Sequence, residues 1–272
     1  MRVTLSGYVV ADDDAFFYRY FGIGVFSPRD IRAALAKNPK GEDLVLEVNS
    51  GGGSVFSGFE MYSMLRAAKD VHTIAEVQSL AASAASTMIL GCDEVMLSPV
   101  AQVMIHLPST STEGDVTAHK DSIRALSSIT VSILNAYELR CKGKSTREQL
   151  ESMINKATWF PAQDALDAGL ADGVQYQDGE EPLVLPKDIT NAVGGGIRAL
   201  ANSAGDIPAA DTLRARYQKL VDEGRAKPVN DAGDSAGCGE ESPAQQTTPA
   251  GGGLKDDWRS EARLALAKIK II

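Results

Sequence analysis

Three short segments hold the residues whose types and spacing could do chemistry. The first is Asn49-Ser50-Gly51-Gly52-Gly53-Ser54-Val55, set between a strand-like apolar run and an amphipathic run of helical period. Consecutive glycines let a backbone approach a ligand closely and present N–H groups to an anionic oxygen, although a tight strand-to-helix turn would use the same residues. The run lacks the Lys-Ser/Thr ending of a phosphate loop, which argues against nucleotide binding. The second segment, Leu80-Ala81-Ala82-Ser83-Ala84-Ala85-Ser86-Thr87-Met88, follows another strand-like run and opens an apolar helix. Small neighbours leave room for a substrate at Ser83, and the N–H groups after it could steady a developing oxyanion. A serine at that place also serves as a plain helix cap.

A nucleophilic serine needs a base, and the chain has three histidines. His106 ends the run Gln102-Val103-Met104-Ile105 and precedes Leu107-Pro108, a loop position from which an imidazole can face a cleft. It is the best candidate. His72 opens a strand and His119 falls on the apolar seam of a helix, so both read as packing or surface residues.

The elements that would position these groups alternate in type. The runs at 44–48, 72–77, 94–97 and 102–106 predict buried or half-buried strands. Ser27-Pro28 predicts a capped helix start, and Val55, Phe59, Tyr62 and Leu65 recur at helical spacing. The longest helix is expected over 116–137, where Val116, His119, Ile123, Leu126, Ile129, Ile133 and Tyr137 form a near-heptad seam. Ser145 and Glu148 suggest a capping box for the next helix. Beyond about residue 185 the pattern stops. Residues 230–253 are rich in Gly, Ser, Pro, Gln and Thr and read as a flexible linker. The expected organisation is therefore a domain over 1–185 and a mostly flexible extension over 186–272, with short helices at 209–225 and 254–270.

Composition narrows the class. The 272 residues carry 27 Lys plus Arg against 36 Asp plus Glu, a net charge of −9, which disfavours attraction to nucleic acid or anionic membrane. Cys92, Cys141 and Cys238 show no paired spacing, so neither a zinc site nor a disulfide framework is expected, and a reducing cytoplasm fits. The first residues run into three aspartates and do not read as a signal peptide. No apolar stretch has the length of a membrane span.

In order, NSGGGSV, then AAS about thirty residues later, then VMIH about twenty further on, resemble the Clp protease proteolytic subunit family. That family's motifs read NSPGGSV, a small-residue segment ending in the nucleophilic serine, and VMIH. DVHTIAEVQSLAAS and DALDAGLADGV match its intervening strand and its late helix with a Gly-Leu-x-Asp turn, so the resemblance covers about residues 40–175. The front end, GYVVADDDAFFYRYFGIGVFSPRDIRAALA, is similar to the Clp-related head maturation proteases of tailed phages, which also place an acidic, aromatic segment after the first strand. Seven of the sixteen aromatic residues lie within 8–26.

The resemblance implies an α/β, crotonase-like fold of repeated ββα units with a long interface helix, and a serine endopeptidase. Carried across by position, Ser83 is the nucleophile, His106 the general base, and the backbone N–H groups of Gly53 and Ala84 the oxyanion hole. Gly52 remains an alternative, because the triple glycine leaves the register open by one. Ser86 would sit one turn inside the helix and further from His106. The third triad position, anchored on Gly169-Leu170 and Asp172, reads Ala157. Three explanations stand: a Ser83–His106 dyad, a substitute acid such as Asp164 or Glu151, or a degenerate protease acting as a scaffold. No metal or cofactor is implied. The implied partners are further copies in a ring and protein substrates such as scaffold or capsid protein in a procapsid. Cleavage of its own chain is expected between 188 and 253. The sequence starts at the first strand, without the extra segment of the ATPase-coupled enzymes, so a hexameric AAA+ ATPase enters only under the alternative of a housekeeping Clp-type peptidase. A crotonase-type acyl-CoA enzyme would need a carboxylate in place of the Ser–His pair.

Overall fold

The structure, a computed structural model, describes residues 1–176 and 208–229. The chain divides into a compact unit, Met1–Ala226, and a second, Lys227–Ile272, of which residues 227–229 are described. The linker at 230–253, the helix candidate at 254–270 and most of the 188–253 cleavage window lie outside the described residues.

Strand β1 (Arg2–Val9) leads into helix α1 (Asp12–Tyr20), β2 (Val25–Phe26) and α2 (Pro28–Lys37). Then come β3 (Leu44–Gly53), α3 (Val55–Ala67), β4 (Thr73–Ala82), α4 (Ala84–Ile89), β5 (Glu94–Leu97) and β6 (Gln102–Ile105). Helices α5 (Val116–Cys141) and α6 (Arg147–Asn155), strand β7 (Thr158–Pro161), helix α7 (Ala162–Ala168) and strand β8 (Gly173–Val174) follow, and α8 is Ala210–Asp222. This is the α/β alternation that the sequence predicts.

The sheet order is β2-β1-β3-β4-β5-β8, with every pair parallel. Strand β4 changes neighbour along its length. Its residues 74–77 pair with β5, its residues 80–82 pair with β6, and β7 then runs antiparallel to β6. Period-two alternation gives the sheet two characters. Leu44, Leu46 and Val48 of β3 and Ala75 and Val77 of β4 are fully buried, in one core with Met61, Met88, Ile89 and Tyr137 from the helices. Each leucine, valine, isoleucine or methionine among them contributes about 1.5–3 kcal/mol on leaving water. The intervening residues carry charge: Arg2 donates to Glu47 at 2.9 Å and to both carboxylate oxygens of Glu76 at 2.8 and 3.0 Å.

Local chemistry explains most element ends. Ser27 and Asp30 form a capping box with Pro28 in the first turn of α2. Asp115 caps α5 by accepting from the N–H groups of Thr117 and Ala118. Two expectations shift. The box on α6 is Thr146 with Gln149, one residue beyond Ser145 and Glu148, because the Ser145 hydroxyl is buried and donates to the Ala168 carbonyl instead. Strand β3 continues through the glycines to Gly53, which lies opposite Val9. Glycine has no side chain to show a period, so backbone pairing there is invisible to hydropathy.

The long helix extends to Cys141, but its seam is buried only from Ile133 onward, while Val116 and Ile123 are exposed. The helix expected at 209–225 forms at Ala210–Asp222 and is docked on α1 rather than carried in a free tail. Leu213 and Tyr217 are buried there, Tyr18 donates to the Pro208 carbonyl at 2.9 Å, and Arg214 pairs with Asp14 at 2.7 Å. Tyr217 meets Phe16 and Tyr20 edge-on at 5.2 and 4.8 Å. The acidic, aromatic segment after β1 therefore has a complementary basic and apolar helix on it. Among the described residues no helix is long and apolar enough to cross a membrane.

A buried cation holds the C-terminal half of α5 to the sheet. Arg140 donates to the carbonyls of Cys92 and Asp93 and pairs with Asp172, whose carboxylate also accepts from the Val95 N–H. Arg140→Ala should lower stability by about 3 kcal/mol in urea unfolding, since Asp172 loses its counter-charge while the carbonyls stay buried. Leu213→Asp should release α8 from α1 and open residues 208–229 to limited proteolysis while the rest of the core resists.

Candidate active site

The branch in β4 builds the site. Because β4 and β6 are parallel neighbours with Ala82 opposite Met104, the residues just past their ends emerge at the same edge. These are Ser83 and His106. The Ser83 hydroxyl lies 2.7 Å from His106 Nε2, and the Ser83 N–H donates to the Met104 carbonyl at 2.9 Å. Ser83 has φ 54° and ψ −124°, a region that costs a non-glycine residue about 1–3 kcal/mol and persists only where neighbours hold it. His119 is exposed on α5, and His72 is at the surface beside Glu94 at 3.3 Å. Neither lines the cleft with Ser83.

The two candidate glycines differ at the same edge. The Gly52 N–H donates to the Ser50 hydroxyl at 3.1 Å and is occupied. Gly53, at φ 146°, lines the cleft with Ser83 and Ala84. Gly52, at φ 94°, sits so close to the serine turn that an added Cβ would lie 2.6 Å from both the Ala82 carbonyl oxygen and the Ser83 Cβ. The cleft has a volume of about 460 Å³ and is walled by Val55, Phe56, Leu126, Ile129 and Ile133, with Ser109, Thr110 and Ser122 on the loop and helix beyond His106. Among the described residues no Asp, Glu, Lys or Arg lines it. A larger hollow of about 690 Å³, bounded by Arg2, Glu47, Glu76, Gln78, Gln175 and Tyr176, contains neither Ser83 nor His106 and no nucleophile.

The β6–β7 pairing ends at Ile105 opposite Thr158, and His106 and Ala157 are the next residues beyond that end. Ala157 is itself left-handed, at φ 53°. Of the two substitute acids, Glu151 is exposed on α6, and Asp164 is half-buried in the first turn of α7, the helix that follows β7. Buried thiols do not compete with the serine: burial pushes Cys92 up to about 12 and Cys141 up to about 11. Among the described residues no group of three His, Cys, Asp or Glu side chains could hold a metal.

Ser86, weighed in the sequence as a second serine, and Tyr137, read as the end of the long-helix seam, meet at the serine turn. Ser86 Oγ donates to the Ser83 carbonyl at 2.6 Å and lies 2.6 Å from the Tyr137 hydroxyl. Tyr137 is 51 positions away on α5, so no spacing rule could have joined them.

A family model for Clp protease matches residues 32–178. The chain belongs to the Clp protease family. Among its relatives is the "ATP-dependent Clp protease proteolytic subunit 1" of Chlamydia abortus, 32% identical over 145 residues that cover 51% of this chain and 72% of the relative. The protein of that name from Chlamydia trachomatis serovar D has the same identity and coverage. The one from Chlamydia pneumoniae is 29% identical over 146 residues, covering 52% of this chain and 73% of the relative. Helices α1 and α8, at 12–20 and 210–222, lie outside the matched segment. In a Clp protease family member the close approach of Gly52 to the serine turn carries a direct test. Gly52→Ala should cut the reactivity of Ser83 toward a fluorophosphonate more than tenfold and lower the melting temperature. Gly51→Ala, with nothing within 4 Å of its added Cβ, should leave both unchanged.

Proposed function

We propose that this chain is a serine endopeptidase in which Ser83 is the nucleophile and His106 the general base. The 2.7 Å contact between Ser83 Oγ and His106 Nε2 carries the reading. With the imidazole proton on Nδ1, Nε2 accepts the serine proton as Oγ attacks the scissile carbonyl. The N–H groups of Gly53 and Ala84 receive the oxyanion of the tetrahedral intermediate, the imidazolium protonates the leaving amine, and water releases the acyl group by the reverse path. The uncharged, largely apolar cleft suits an apolar side chain next to the scissile bond.

No carboxylate stands at position 157 to steady the imidazolium, and loss of that acid costs a triad about 10⁴-fold in rate. The imidazole therefore works either in a slower Ser83–His106 dyad or with a carboxylate from another element, for which Asp164 on α7 is the candidate. The substrate we favour is scaffold or capsid protein of a phage procapsid. Support comes from the acidic, aromatic α1 after the first strand, a segment that the matched family region does not include. The relatives' name favours a second reading, delivery of substrate by a hexameric ATPase. Retention of the chain on an immobilised unfoldase of that type in the presence of ATP would select the second reading. Processing of a co-expressed scaffold protein without it would select the first. The exposed first half of α5 suits a further copy of this chain in a ring, to be checked by sedimentation at micromolar concentration.

Ser83→Ala should abolish fluorophosphonate labelling, and labelling that survives would remove Ser83 from the mechanism. Ala157→Asp should raise kcat on a peptide substrate at least tenfold. Asp tolerates the left-handed backbone better than Ala, and position 157 directly precedes Thr158, which pairs with Ile105 next to His106. Asp164→Asn tests the remaining route: a further fall of about tenfold or more would make Asp164 the substitute acid.

A further inference from the structure

The contacts on the Ser83 carbonyl have a direction that proton counting determines. A carbonyl oxygen only accepts, so the single Ser86 hydroxyl proton is spent on it at 2.6 Å. The 2.6 Å contact between Ser86 Oγ and Tyr137 must then have the phenol as donor. The sequence of bonds is Tyr137 O–H to Ser86 Oγ, and Ser86 O–H to Ser83 O. Tyr137 is buried, and burial raises its pKa, so the hydroxyl keeps its proton at any ordinary pH. The Thr87 N–H also donates to this carbonyl, at a longer 3.3 Å.

The carbonyl of Ser83 and the N–H of Ala84 belong to one planar trans peptide, in which they point in opposite directions. Anchoring the oxygen therefore aims the hydrogen. The anchored oxygen is turned toward Ser86; the opposed N–H belongs to Ala84, which lines the cleft beside Gly53 and Ser83, as Tyr137 does from α5. The Ser83 N–H is held at its other end by Met104. The unfavourable φ and ψ of Ser83 are thus clamped from both sides, with the C-terminal clamp supplied by a tyrosine from a different layer of the fold.

We infer that Tyr137 and Ser86 are positioning residues that aim the Ala84 N–H at the oxyanion, with Tyr137 acting through Ser86. This rests on the reading of Ser83 as nucleophile. The arrangement differs from a structural hydrogen bond in what it predicts: the oxyanion exists only in the transition state, so loss of aim falls on kcat and spares KM.

The experiment measures kcat and KM on a fluorogenic peptide amide with an apolar residue before the scissile bond, together with the phosphonylation rate of Ser83, for Tyr137→Phe, Ser86→Ala, Ser86→Thr and the Tyr137→Phe/Ser86→Ala double variant. Ser86→Ala should lower kcat and the phosphonylation rate about tenfold, the size of one misaimed donor, with KM within about twofold. Tyr137→Phe should lower them about three- to fivefold, the double variant should be no worse than Ser86→Ala, and Ser86→Thr should restore most of the rate. Wild-type kcat in Ser86→Ala, or a loss that follows only the folded fraction, or additive losses in the double variant, would overturn the proposal. Amide hydrogen exchange at residues 84–87 gives a readout independent of turnover. Faster exchange there in Ser86→Ala and Tyr137→Phe supports the clamp, and unchanged exchange overturns it. If the wild-type chain shows no Ser83-dependent labelling, the peptidase reading fails, and exchange alone decides whether the relay orders the turn.

Discussion

The peptide between Ser83 and Ala84 is held in a conformation that an isolated chain would avoid, and much of the surrounding structure exists to hold it. Strand β4 delivers it, β6 accepts its N–H through Met104, Gly52 gives up a side chain so that β3 can pass within contact of it, and Ser86 fixes its carbonyl. Each support comes from a different element. A nucleophile on such a turn is preorganised because no single element can relax without breaking a pairing made by another. The same geometry explains why β4 must change partners. If it stayed beside β5 to its end, β6 would not stand next to it and His106 would not emerge beside Ser83.

The rest of the body divides by how far it serves this edge. The apolar face of the sheet, with α3, α4 and the last turns of α5, supplies rigidity. The opposite face carries the Arg2–Glu47–Glu76 fork and is polar, which is unusual for a parallel sheet, normally covered on both sides. Helices α1 and α8 form a separate small layer of aromatic and ion-pair contacts outside the family match. That layer follows directly on the end of β1, whose Val9 carbonyl accepts the Ser54 N–H just past Gly53. The distinguishing segments of this chain therefore attach to its site through the backbone of one strand.

Much of the site was legible without coordinates because its parts are local. Ser83, His106 and the glycines are each marked by a strand ending in small or special residues. Gly53 could not be separated from Gly52 by sequence, since both belong to one run. In the structure the Gly52 N–H donates to Ser50, a contact between neighbours that hydropathy does not register. The seam of α5 was visible as a period, but not that Val116 and Ile123 in its first half stay exposed among the described residues. The docking of α8 was invisible because its partner, α1, is about 200 positions away and the pairing rests on charge and ring geometry.

The sequence by itself determined which residues are chemically able to act, the alternation of strands and helices, and the absence of a carboxylate at position 157. These follow from residue identity and short-range periodicity, which a linear chain carries in full. Only the tertiary structure decided that β4 would branch, that β7 would pair antiparallel with β6 up to Ile105 and Thr158, and that Tyr137 would reach the serine turn through Ser86. Those outcomes depend on strand register and on hydrogen bonds between distant residues. Their energies arise only once the whole core has closed around them.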